Sequence, residues 1–174
     1  SMGKTAVGLS VFLGAGQAGA GSLFISLEMG RDELMKRAIT DLIHAHGESA
    51  SFDHVQRGRF NEFDRQRIAD ARAMVDRWPL MIYDPSTLRI GRLAMTIRRY
   101  QRRMTAKGQQ LKMVVLDYLG LIQPDNPKAS RYEQVSIISR TLKQIAKACG
   151  IHIVVLAQLN RQAEQREDKR PVLS

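Results

Sequence analysis

Four short apolar runs constrain this chain more than any other feature: Ser22 to Leu27 (SLFISL), Leu80 to Tyr83 (LMIY), Met113 to Leu116 (MVVL) and Ile151 to Ala157 (IHIVVLA). Each is too short for a core helix and is apolar without alternation, the pattern of a strand buried on both faces of a parallel sheet. Helix-compatible segments lie between them. An apolar run from Ala6 to Leu13 is expected to stop in the glycines of Gly14 to Gly21, and Leu34, Ala38 and Leu42 with Met35, Ile39 and Ile43 form a stripe between Arg31 and His46. Asn61 to Arg77 places Ile68, Ala71, Met74 and Val75 at helical spacing and ends at Trp78-Pro79, because the residue before proline avoids helical angles. Ile90 to Lys107 carries Leu93, Ile97, Tyr100 and Met104 on one face, and the last helix is expected to turn Val135, Ile138, Leu142, Ile145 and Cys149 to the core and to close at Gly150. Helix and strand in alternation predict an α/β fold, a mainly parallel sheet flanked by helices. Gly47 to Arg59, Gln123 to Ser130 and Arg161 to Arg170 read as connections, the last of them a mobile loop.

Three of the apolar runs end in a polar residue: Glu28, Asp117 and Gln158. In a parallel sheet flanked by helices, ligands bind at the carboxyl ends of the strands, the edge that also carries a phosphate-binding loop. The chain opens on such a loop's closing residues, Gly3-Lys4-Thr5, followed directly by a helix. There a glycine lets the backbone approach phosphate, the lysine neutralises β/γ charge, the hydroxyl is a ligand for Mg²⁺, and the helix adds its N-terminal dipole. A lone Gly-Lys-Thr is common by chance, and a lone polar residue after a strand is usually a cap. Their coincidence at one edge points to a nucleoside-triphosphate site. Asp117 suits the second metal position, acting through bound water; Glu28 suits the group that orients and deprotonates an attacking water; Gln158, which both donates and accepts, suits a γ-phosphate sensor.

With 174 residues, 44% of them hydrophobic, the chain holds enough apolar surface for one domain with a core of its own. Cys149 is its single cysteine, which excludes an internal disulfide and reads as a small buried hydrophobe; His44, His46, His54 and His152 are scattered without cysteine partners, which argues against zinc. The absence of a membrane-length apolar run or a signal pattern leads us to expect a cytoplasmic protein with no membrane partner. Its net charge of +10 favours a polyanionic partner, nucleic acid or acidic protein. Arg92, Arg98, Arg99, Arg102 and Arg103 share one helix without an intervening acid; we read them first as a solvated outer face and second as a polyanion-binding stripe.

Longer stretches name a family. Ser1-Met2-Gly3-Lys4-Thr5, Ser26-Leu27-Glu28-Met29, Leu116-Asp117-Tyr118-Leu119 with Leu121-Ile122, Ile138-Ser139-Arg140 with Leu142-Lys143, and Gln158-Leu159-Asn160-Arg161 through Glu164-Gln165-Arg166 and Asp168-Lys169-Arg170-Pro171 resemble, in order and across the whole chain, the motor domain of DnaB-type replicative helicases. The resemblance implies a RecA-like P-loop NTPase core whose hexameric ring hydrolyses ATP with Mg²⁺ between subunits and draws single-stranded DNA through its centre, with primase and a helicase loader as partners. It also implies that Lys4 and Thr5 hold phosphate and metal, Glu28 is the catalytic carboxylate, Asp117 organises the metal and Gln158 contacts the γ-phosphate. Arg37 falls on a customary arginine of the family.

Two departures stand out. Gly120 replaces a customary glutamine beside the metal aspartate. Measured against the family, the first glycine of the phosphate loop and its strand, the primase-contacting domain, and the DNA-binding loop, arginine finger and last strands beyond Ser174 are not in the sequence. Residues 1–174 are therefore expected to be a partial RecA-like ATPase domain, truncated at both ends and inactive alone. Another RecA-like ATPase, recombinase or clock-type, and a non-hydrolysing interaction module are the competing readings.

Overall fold

The computed structural model describes residues 3–45, 62–123 and 130–157. Within them the chain runs α1 (Lys4–Gln17), β1 (Gly21–Ser26), α2 (Arg31–Ala45), α3 (Glu62–Arg77), β2 (Leu80–Tyr83), β3 (Leu88–Arg89), α4 (Ile90–Thr105), β4 (Leu111–Asp117), a 3₁₀ turn (Leu119–Leu121), β5 (Ile122–Gln123), α5 (Arg131–Cys149) and β6 (His152–Leu156). The expected connection at 47–59, most of that at 123–130, the tail at 161–170 and Gln158 lie outside the described residues.

All four apolar runs become strands of one sheet, ordered β2-β1-β4-β6 and parallel throughout. Side chains alternate across it. Leu23 and Ile25 of β1, with Val114 and Leu116 of β4, join the core formed with α4 and α5. Phe24 and Val115 face the other way, into a core with Leu9, Phe12 and Leu13 of α1, Leu34 and Ala38 of α2, and Val75 of α3. Helices on both faces explain why these strands are apolar without alternation. Parallel strands need crossovers, and each crossover lays a helix on one face or the other.

The helix α1 runs on through Gly14 and Gly16 to Gln17, past the stop expected from its glycines. Each interior glycine costs a helix about 1 kcal/mol relative to alanine; here close packing offsets it. A Cβ on Gly8 would stand 2.7 Å from Leu156 Cδ1, and one on Gly16 would stand 2.7 Å from Leu80 Cδ2. The missing side chains let the helix lie down on β6 at one end and β2 at the other.

Helix α5 starts at a capping box: Ser130 Oγ accepts from the Glu133 N–H, and the Glu133 carboxylate accepts from the Ser130 N–H and hydroxyl. It ends at Gly150, whose φ of 63° is left-handed, as expected. One core position differs from expectation. Val135 is exposed, because α5 packs against the sheet through Ile138, Leu142 and Ile145 further along, while Cys149 faces the same core but is only half-buried. The pairing of β3 with β5, Leu88 opposite Ile122, has no forerunner in the sequence pattern; two-residue strands carry too little of it to be read. It draws the chain that leaves β4 back over the start of α4.

Candidate functional site

Register builds the site. Ser26, the last residue of β1, lies opposite Asp117, the last of β4, and Asp117 lies opposite Leu156, the last of β6. Three strands thus end on one line. Asp117 shares the parity of Val115, so its side chain points to the α1 face of the sheet. Residues from opposite parts of the chain meet there: the Thr5 hydroxyl donates to Asp117 Oδ2 at 2.6 Å, across a separation of 112 positions.

Gly3 begins α1 with φ 65°, a left-handed angle that glycine adopts without Cβ strain. No side chain caps the N–H groups of that first turn, and no acid lies in it. Such a helix start presents backbone donors and a positive dipole end, the arrangement that binds phosphate. Lys4 points along the same edge, its Nζ 4.4 Å from the centre of the Tyr118 ring.

Asp117 is wholly buried, and its Oδ1 has no hydrogen-bond partner among the described residues. An unpartnered buried carboxylate oxygen is costly enough that native proteins rarely leave one. It calls for a cation or a donor. Thr5 spends its proton on Oδ2, which leaves its lone pairs free to accept or to ligate. A hydroxyl oxygen beside a carboxylate oxygen is the hard-oxygen donor set that Mg²⁺ favours, so these two residues fit that ion. Histidine, cysteine and acidic side chains form no cluster of three able to hold a metal among the described residues, which sets this pair apart from a caged metal centre.

The carboxylate expected to activate water sits on the same edge. Leu27 N–H donates to the Asp117 carbonyl at 2.8 Å, and Ser26 Oγ donates to Met29 O while accepting from Met29 N–H. These bonds tie residues 26–29 into a tight turn with Glu28 exposed on its crest. From there the chain enters α2, where the Arg31 N–H is held by Asp84 Oδ2 and its guanidinium donates to the Ile82 carbonyl. Arg37 pairs with Glu33 one turn earlier in α2.

Of the sequence-derived set, Gly3, Lys4, Thr5 and Asp117 lie together on this edge, Glu28 stands on the turn whose Leu27 N–H bonds the Asp117 carbonyl, and Gln158 lies outside the described residues. Tyr118 and Ser26 were missed as site residues, although both sit inside the quoted motifs; nothing in their spacing shows that one meets Lys4 and the other shapes the turn below Glu28. A cleft lined by Phe12, Leu13, Met35, Trp78, Leu80 and Ile82 runs along β2 instead, and includes none of the residues named for chemistry.

The arginine helix is solvent-facing, as both of its readings require. Arg92, Arg98, Arg99, Arg102 and Arg103 are all exposed, on the face of α4 opposite its buried Leu93, Ile97, Tyr100 and Met104. Arg99 stands 5.5 Å from the Tyr83 ring centre and 5.4 Å from that of Tyr100, and Arg103 stands 5.5 Å from Tyr100.

Comparison with known proteins agrees with this geometry. A family model described as DnaB-like helicase C terminal domain matches residues 1–174. Replicative DNA helicase DnaB of Helicobacter pylori (strain ATCC 700392 / 26695) is 33% identical over 174 residues, 100% of this chain and 34% of that protein. Its counterpart in Leifsonia xyli subsp. xyli is 36% identical over 153 residues, 88% of this chain and 31% of that protein. The chain thus spans about a third of the length of the curated relatives it matches. Among solved structures, one described as an ATPase domain superposes with a TM-score of 0.83 at 32% identity, covering 99% of this chain and 59% of that one. A second, of a DnaB-like replicative helicase described together with its interactions with primase, superposes at 0.81 with 33% identity, covering 100% of this chain and 40% of that one. These likenesses bear out the RecA-like α/β core and do not favour the recombinase, clock-type or interaction-module readings. The chain belongs to the DnaB-like helicase C-terminal domain family.

Proposed function

We propose that residues 1–174 form the nucleotide-hydrolysing part of a replicative helicase motor, which couples ATP hydrolysis to movement on single-stranded DNA and to strand separation. The observation that carries this reading is the bond from Thr5 to Asp117 beside a buried, unpartnered Asp117 Oδ1. It assembles a hydroxyl and a carboxylate where a phosphate-binding helix start meets the ends of parallel strands. Mg²⁺ bound there supplies charge neutralisation for the terminal phosphates.

The protein's own groups do the rest. Backbone N–H groups at Gly3 and the first turn of α1 hold phosphate oxygens, and the Lys4 ammonium adds point-charge stabilisation where charge builds in phosphoryl transfer. Thr5 would ligate the cation, and Asp117 would hold it through bound water. Glu28, exposed on its turn, orients a water and takes its proton. Gln158 reads whether a γ-phosphate is present. In the whole protein the same reading gives a cytoplasmic homo-hexamer with single-stranded DNA in its channel and with primase and a loader as partners. No helix among the described residues is long and apolar enough to cross a membrane.

The test compares Lys4→Ala and Glu28→Gln in the full-length protein. We expect Lys4→Ala to abolish turnover and to bind nucleotide more weakly yet measurably, because the phosphate-charge stabilisation is lost while the backbone donors remain. Glu28→Gln should bind a fluorescent nucleotide normally and hydrolyse ATP on the order of 10²–10⁴-fold more slowly, the usual contribution of a positioned acid–base group. Hydrolysis at the parental rate in Glu28→Gln overturns the assignment.

A further inference from the structure

We propose that Tyr118 is a positioning residue for Lys4, its ring holding the ammonium away from Asp117 until phosphate binds. The inference rests on the reading of Lys4 as the phosphate-binding lysine. Lys4 Nζ stands 4.4 Å from the Tyr118 ring centre, within the range at which an ammonium is attracted to an aromatic face. No acid lies within ion-pair distance of Lys4 among the described residues. An anion on the same edge belongs to the neighbouring pair. Thr5, one position after Lys4, bonds Asp117 Oδ2, while Asp117 Oδ1 is buried without a partner next to Tyr118.

That arrangement sets up a competition. A lysine stem is long and flexible, and a buried carboxylate oxygen lacking a donor is a strong attractor for its ammonium. Were Lys4 to close onto Oδ1, it would give up its place for phosphate and neutralise the carboxylate that would hold Mg²⁺. The ring offers a weaker resting place. A cation–π contact holds the ammonium at the site yet yields readily to the fuller charge of a triphosphate.

Backbone bonds anchor the segment that carries the ring. On one side Leu27 N–H donates to the Asp117 carbonyl, and on the other Leu121 N–H donates to the Tyr118 carbonyl at 3.1 Å. The Tyr118 hydroxyl has no hydrogen-bond partner among the described residues. The face of the ring, not its oxygen, is the working part, and phenylalanine should replace it.

The experiment measures equilibrium binding of a fluorescent, non-hydrolysable ATP analogue to the full-length protein over a range of Mg²⁺ concentrations. Tyr118→Phe and Tyr118→Leu are made alone and in a Lys4→Ala background, with thermal melts to confirm folding. Tyr118→Phe is expected to bind within about twofold of the parent. Tyr118→Leu should bind on the order of tenfold more weakly and need more Mg²⁺ for half-saturation. In the Lys4→Ala background the two Tyr118 variants should not differ, because the ring then has nothing to position. Parental or tighter binding by Tyr118→Leu overturns the inference, as does a loss that persists undiminished in Lys4→Ala. Unchanged binding by Lys4→Ala itself overturns the reading of the site instead.

Discussion

Helices α1 and α4 lie on opposite faces of the same sheet and use their surfaces in opposite ways. The first has no acid in its first turn and no base in its last, and meets the sheet through Gly8 and Gly16 as well as Leu9, Phe12 and Leu13; what it presents at its N-terminus is backbone and two side chains, Lys4 and Thr5, each with a named contact. The second packs through large apolar side chains and turns a row of arginines to solvent. Eight of the chain's 27 basic residues and none of its 17 acids lie between Pro85 and Leu116, so this stretch carries +8 of the net +10. Geometry that permits chemistry is built from a few buried contacts held to tenths of an ångström, whereas an exposed charged face supplies a field that salt screens within about 10 Å. One helix is sensitive to a single methyl group and the other to ionic strength.

The sharpest way to break the contrast is to fill α1's inner face. Gly8→Leu should destabilise the protein by about 1–3 kcal/mol, the usual cost of overpacking, because even its Cβ would meet Leu156 at 2.7 Å and Val115 at 3.3 Å. Gly14 on the same helix is exposed and has nothing within 4 Å of a Cβ, so Gly14→Ala should stabilise by roughly 0.5–1 kcal/mol. Thermal melts of both variants decide it. Equal shifts would mean that close approach to the sheet does not govern α1.

A smaller effect is expected where α5 begins. Ser130→Ala removes the acceptor for the Glu133 N–H and should cost about 1 kcal/mol. Hydrogen bonds from the Ser130 hydroxyl and N–H hold the Glu133 carboxyl below its ordinary value of 4.5. A carboxyl lowered in the folded state stabilises it above the unfolded value, and that contribution fades as pH falls through the folded one. Stability measured from pH 6 downward should therefore fall less steeply below about pH 4.5 in Ser130→Ala than in the parent. Parallel curves would show that the capping box does not couple to this ionisation.

The smallest folding effect belongs to α4, and it sharpens the comparison from the other side. Changing Arg98, Arg99, Arg102 and Arg103 to Gln should alter stability by no more than about 0.5 kcal/mol, since the four are exposed and Arg98 with Arg102 and Arg99 with Arg103 are like-charge neighbours one turn apart. Any affinity of this chain for oligonucleotides should nevertheless fall. The expected binding is indifferent to sequence and weak, with Kd on the order of 10⁻⁴ to 10⁻⁶ M at physiological salt. A labelled strand titrated across a salt series checks this. Tight, salt-resistant binding by the parent would place a specific nucleic-acid site within these residues.

Each main strand was legible because a buried parallel strand writes its own signature, a short unbroken apolar run, and the larger helices because their apolar residues recur every three or four positions. The site residues could be named singly, since Gly-Lys-Thr and a polar residue after a strand are local patterns. Where local pattern and packing conflicted, packing prevailed. Gly14 and Gly16 read as a stop, yet α1 continues through both because Leu80 fills the space a Cβ would occupy at Gly16. Val135 fits the apolar period of α5 but faces out, where the helix has run past the sheet's support.

The amino-acid sequence by itself determined the layered α/β plan, the edge on which polar groups collect and the family, because each is carried by residue type and spacing along a few turns or one strand. Only the tertiary structure decided the order β2-β1-β4-β6, the bond between Thr5 and Asp117, the resting place of Lys4 on Tyr118 and the pairing of β3 with β5. These depend on register between segments separated by tens of residues or more. Periodicity records which face of an element is apolar; it holds no record of which partner will cover that face, and that choice is made by the packing of the whole sheet.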